Sequence, residues 1–109
     1  GGIPRNADLV FDMRFLRNPH WEPSLRPLTG LDPRVGAYID SDPAYAESLD
    51  RIVELLAMLL PRYASEGRAY LTVAFGCTGG RHRSVHLAEE VAGRLRKRGF
   101  SPTVAHRDL

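Results

Sequence analysis

The 109-residue sequence holds one cysteine, one tryptophan and, among fifteen basic residues, one lysine. A single cysteine cannot close an internal disulfide, which points to a reducing compartment and leaves Cys77 to packing, ligand contact or reactivity. No apolar run approaches the roughly 20 residues needed to cross a bilayer. The longest, IVELLAMLL (52–60), is short and carries Glu54. The opening GGIPRNADLV has neither a basic flank nor a long apolar stretch, so no secretory signal is read there and a cytoplasmic protein is expected. No window fits G-x-x-x-x-G-K-[ST], since the one lysine is Lys97; a Walker-type nucleotide site is not expected in this chain. Internal repeats and low-complexity tracts are lacking as well.

What is present suits one soluble domain over residues 1–109. Hydrophobic content of 43% and charged content of 26% are ordinary for a globular chain, and the length permits a real core. The formal charge is only +2, yet nearly all the cations are arginines, the side chain suited to bidentate contact with phosphate and carboxylate. GC-rich codon usage explains that bias equally well.

ADLVFDMRFL (7–16) is rich in β-formers and predicts a strand. The Pro- and Gly-rich stretch 17–38 predicts a long irregular segment, of a length that is uncommon unless functional or mobile. From Asp42 and Pro43, Ala46, Leu49, Ile52, Val53, Leu56, Leu59, Leu60 and Tyr63 keep to one face of a helix that Pro61 should kink or shorten. RAYLTVAFG (68–76) predicts a central parallel strand. Leu87, Ala88, Val91, Ala92 and Leu95 mark a second helix ending near Gly99, and SPTVAHRDL (101–109) predicts a last short strand. The expected fold is α/β, a small mostly parallel sheet with helices packed on it, in the order β-loop-α-β-α-β. Ligands of such sheets bind beyond the carboxyl ends of the strands.

CTGGRHRS (77–84) lies at that place. A strand-to-helix turn collects unpaired backbone N–H groups and the positive end of the helix dipole, which suits an anion. Gly79 and Gly80 permit close approach of the main chain, Thr78 and Ser84 add hydroxyls, and Arg81 and Arg83 add charge. Cys77, Thr78, Gly79, Gly80, His82, Arg83 and Ser84 are the candidate phosphate ligands. Asp12 and Arg14, two apart on the first strand, project to one side and face the turn if they end that strand; such a carboxylate suits a sugar hydroxyl or an amine.

Other readings compete. Cys77 and Arg83 have the C-x5-R-S spacing of cysteine-dependent phosphatases, in which the thiolate attacks phosphorus and the arginine holds the phosphoryl oxygens. Against this, Gly76 stands where those enzymes resemble one another in having histidine, and the acid they require is only nominally available in Asp32 or Asp40. His82 and His86, four apart, with Cys77 and His20 suggest a metal, but Arg81 and Arg83 would surround the cation with like charge; no metal is expected. His86 reads as a semi-exposed helix residue and His106 as a polar strand edge. Arg94, Arg96, Lys97 and Arg98 offer a basic surface for RNA, though cations at a helix end also follow from the dipole.

VFDMRFLRNPHWEPSLRPLTGLD (10–32), followed further along the chain by YLTVAFGCTGGRHRSVHLAE (70–89), resembles the C-terminal domain of the RapZ/YvcJ family of bacterial nucleotide-binding proteins, some of which act as RNase adapters. The resemblance covers essentially the whole chain. It implies a protein more than twice as long, with an ATP- or GTP-binding P-loop domain preceding this one, and no cofactor within this domain itself. It also implies a non-enzymatic sensor of an amino-sugar phosphate, glucosamine 6-phosphate, with small RNA and a ribonuclease or regulatory protein as partners in the adapters and no membrane. Oligomerisation is left open. Carried over residue by residue, the aspartate of F-D-x-R-F falls on Asp12, the histidine of N-P-H-W on His20, and the glycine turn on Gly76 to Ser84. Asp108 departs from the basic ending of the adapters, which weakens the expectation of RNA binding.

Overall fold

The computed structural model describes residues 6–68 and 70–109. Strand β1 (Leu9–Asp12) pairs in parallel with β2 (Val73–Gly76), in the register Leu9 to Val73 through Asp12 to Gly76. Both strands are shorter than the β-rich stretches that predict them. Between them lie a 3-10 turn (Pro19–Trp21) and helices α1 (Pro33–Asp40) and α2 (Tyr45–Ser65); α3 (Arg83–Lys97) follows β2. The fold is α/β, and the expected β-α-β-α succession is present.

Three local expectations change. The stretch 17–38 is not wholly irregular: Asp32 accepts from Arg34 N and Pro33 opens the helix, so α1 forms from a cap and a pre-set φ. Gly36 interrupts the apolar pattern of α1 because the His86 ring lies against it, with Cε1 2.8 Å from where a Cβ would stand. Pro61 neither ends nor shortens α2, which runs on to Ser65. Residues 101–109 form no strand among the described residues. Pro102 has no N–H to give to a ladder, and its carbonyl accepts from Arg96 Nη2 instead.

One core joins the helices to the sheet. Leu49, Ile52, Val53 and Leu56 of α2 meet Leu87, Val91 and Leu95 of α3, while Val35 and Ile39 close one end with Met13 and Leu16. Each such side chain contributes about 1.5–3 kcal/mol by leaving water. Across the sheet Phe11 and Phe75 stack at 5.7 Å. Burial on both helices follows the apolar faces visible in the sequence.

Candidate functional site

The parallel register places Asp12 opposite Gly76, so both strands end on one side of the molecule. A cavity of about 680 Å³ opens there. Its wall includes Asp12 at the end of β1 and Arg14 just beyond it, Cys77 to Gly80 from the turn after β2, and Ser84 from the first turn of α3. Two motifs sixty residues apart in sequence thus share one concavity because the two strands pair. Gly79 and Gly80 both take positive φ, at 78° and 67°, a succession that only glycine adopts without strain. His82 precedes α3 without a side-chain cap. Ser84 N donates to Cys77 Sγ at 3.3 Å, and the thiol donates in turn to Ser84 Oγ at 3.3 Å.

The side chains alone do not make the cavity cationic. Arg14 grips Asp12 through Nε and Nη2, and its backbone N–H donates to the same carboxylate. The side-chain bond from Arg14 contributes most, and with the backbone bond it brings Asp12 down to about 2; burial opposes the shift, and the charges of Arg14 and Arg83 add to it. Asp12 is therefore ionised at any physiological pH. Arg107 and Asp108 also line the cavity, so its two arginines face two carboxylates. What favours an anion at the turn is the backbone: positive-φ glycines at the start of a fifteen-residue helix.

Three candidate ligands stand elsewhere. The Arg83 side chain is 3% exposed, and Nη1 donates to the carbonyls of Arg14 at 2.7 Å and Leu16 at 3.0 Å, which pins the chain beyond β1 to α3. Its Nε is buried without a partner among the described residues. His82 is buried too, with Nε2 2.8 Å from the Leu28 carbonyl and 3.2 Å from that of Arg26. Arg81 reaches the Pro27 carbonyl, and Gly30 N donates to the Arg81 carbonyl at 2.8 Å. The stretch 26–30 thus buttresses the glycine turn from behind. His20 is exposed beside Trp21, and neither it nor His82 and Arg83 lines the cavity.

The remaining histidines differ from their expected settings. His86 is 6% exposed rather than semi-exposed, its Nε2 is 2.7 Å from Asp40 Oδ1, and it stacks on Tyr45. Burial foremost, then the charge of Asp40, pushes the Tyr45 hydroxyl upward from its usual range. His106 lines the cavity and meets Glu89 at 2.9 Å. Asp32 caps α1 and pairs with Arg34, so neither nominated acid faces the turn. No cluster of metal-binding side chains occurs among the described residues.

On the basic end of α3, Arg94 pairs with Asp50 and Arg98 with Glu54, both from α2, while Arg96 turns to the Pro102 carbonyl. Lys97 is exposed. No helix among the described residues is long and apolar enough to cross a membrane. Residues 105–108 also line the cavity, together with apolar side chains such as Val10, Val85 and Ala88, and none of these is among the candidate ligands. For 105–108 the signal was available in principle, since a last parallel strand would end beside the other two.

Comparison with known proteins agrees with the two motifs. A protein called nucleotide-binding protein from Rhizorhabdus wittichii is 68% identical over 108 residues, which is 99% of this chain and 34% of the relative. Its namesake in Sphingopyxis alaskensis is 64% identical over the same share of each chain, and one from Zymomonas mobilis is 59% identical, with 33% of the relative covered. The chain thus spans about a third of the length of these relatives. The family model described as the RapZ C-terminal domain matches residues 1–109, and the chain belongs to that family.

Proposed function

We propose that this domain is a regulatory, non-catalytic binding module for a phosphorylated amino sugar of the glucosamine 6-phosphate type, within a longer nucleotide-binding protein. The observation that carries the reading is the single cavity joining the glycine turn to the Asp12–Arg14 pair. In it, phosphate takes the N–H groups and hydroxyls of the turn, and the sugar, with its amine, lies toward Asp12. Arg83 supports the site by holding the chain at Arg14 and Leu16. The ATP or GTP site belongs to the part of the protein outside this chain, in keeping with the relatives' name and with the missing Walker sequence here. A small RNA, a ribonuclease or a regulatory protein stays with that longer protein as partner, since two cations of the basic helix end are matched by acids of α2.

Calorimetry with inorganic phosphate, glucose 6-phosphate and glucosamine 6-phosphate tests this reading. All three should bind, the amino sugar tightest, and Asp12→Ala should erase the preference for the amine while sparing inorganic phosphate. Equal losses for all three ligands in a folded Asp12→Ala variant would refute it. A second reading, a cysteine-dependent phosphatase, rests on the C-x5-R spacing and the Cys77–Ser84 contact. Turnover of p-nitrophenyl phosphate that Cys77→Ser abolishes would establish it; Asp12, held near 2, cannot be its general acid at neutral pH.

A further inference from the structure

Residues 105–108 line the cavity that holds the glycine turn. Exposure alternates along 101–109, with even-numbered positions turned inward, as along a strand, but the segment carries no ladder among the described residues. Side chains hold it instead, through Arg96 to the Pro102 carbonyl and His106 to Glu89. Its Asp108 carboxylate packs directly on the turn. A Cβ at Gly80 would overlap Asp108 Oδ2 and stand 3.0 Å from Cγ. The chain thus presents one of its own carboxylates to a turn whose backbone favours an anion, at a glycine with φ of 67°.

We infer that residues 105–108 are a self-docked gate on this turn, and that the Asp108 carboxylate must yield before a ligand's phosphate can settle there. The inference rests on the anion-binding reading of the turn and adds to it a competitor built into the chain. Phosphate and Asp108 carry the same sign, so a phosphate at Gly80 is repelled until the carboxylate swings away. Because the segment carries no strand pairing among the described residues, that release is local and leaves the core in place.

The probe is inorganic phosphate, followed through the amide resonances of Gly79 and Gly80 in the full chain and in its Asp108→Asn and Asp108→Ser variants. Removing the charge should tighten phosphate binding by roughly tenfold, about 1.4 kcal/mol. In the unsubstituted chain, phosphate should also raise hydrogen exchange in residues 105–108. Phosphate that reaches the glycine amides only in the variants supports the gate equally. If phosphate shifts those amides in the unsubstituted chain and both variants bind it no better, the gate is wrong and the anion site stands. Should it shift them in none of the three proteins, the anion reading and the gate fall together.

Discussion

Gly30→Ala is the substitution for which the geometry leaves least room. Gly30 is buried, and a Cβ there would overlap the His82 carbonyl oxygen, stand 2.7 Å from His86 N and 2.9 Å from Val85 Cβ. Two of these three are backbone atoms of the start of α3, so no rotamer change relieves the contact. The φ of Gly30 lies outside the left-handed region, so the cost is one of packing and not of backbone strain. Overpacking of this kind costs about 1–3 kcal/mol. Backing the loop away also strains the 2.8 Å bond from Gly30 N to the Arg81 carbonyl and the contact of His82 with the Leu28 carbonyl, each worth roughly 0.5–1.5 kcal/mol. A total loss of about 2–4 kcal/mol is expected, a large part of the roughly 5–15 kcal/mol that holds a domain folded. Urea unfolding measures it, with an unchanged slope and a midpoint lowered by about 1–2 M for a slope near 2 kcal/mol/M. Gly93→Ala is the control: it sits inside α3 with nothing near its missing side chain, and alanine there should stabilise by about 0.5–1 kcal/mol. A Gly30→Ala protein within about 0.5 kcal/mol of the original, beside a well-behaved control, would show that stretch 26–30 does not buttress the turn.

Arg83→Ala should destabilise by about 3–5 kcal/mol, since it strands the carbonyls of Arg14 and Leu16, and Arg83→Lys should recover less than half of that; a small loss in urea unfolding would mean the guanidinium is not buried on those carbonyls. Asp12 should titrate by carboxyl NMR near 2, and Arg14→Gln should bring it back toward 3.8. Because the folded value is the lower one, the pair's contribution to stability is complete above pH about 4 and is lost as the pH falls through about 2; an Asp12 midpoint near 4 in the original chain contradicts the pairing. For Tyr45 the sign is opposite. Its folded-state value is raised, so its contribution is complete below pH 10.0 and is lost as the pH rises through the higher folded-state value. In a spectrophotometric titration Tyr45 should ionise above the usual tyrosine range, and Tyr45→Phe should remove that late step; a titration in which that variant loses an early step instead would place Tyr45 in water.

Helical faces were the most legible feature, because burial against one core imposes a 3.6-residue period that Leu49, Ile52, Val53 and Leu56 display openly. The turn after β2 was legible for a different reason: Gly79 and Gly80 mark backbone that other residues avoid. What could not be read locally were pairings made across the fold. His86 reads as half-exposed along its own helix, and the gap at Gly36, the arrival of Asp40 and the Tyr45 ring bury it. Arg83 looked like a ligand because arginine beside a glycine turn suits phosphate; its direction was decided by two carbonyls of the chain just beyond β1. Asp108 carried no signal of its own, since its carboxylate reaches Gly80 only when residues 105–108 fold back to the cavity.

The pairing of β1 with β2 also bears on the order in which the molecule assembles. Asp12 and Gly76 become neighbours only after the stretch 13–72 has closed, at an entropic cost that grows with the logarithm of its length. The ion pairs of Arg94 with Asp50 and Arg98 with Glu54, which join α2 to α3, each span 44 residues, a shorter separation, and are expected earlier on the folding route. On that order the cavity is expected to form late, and a small molecule held between the two strand ends would clasp a join made after the folding transition state. Such a molecule should slow unfolding and leave the folding rate nearly untouched, so that its binding would lengthen the lifetime of the native state more than it hastens its appearance.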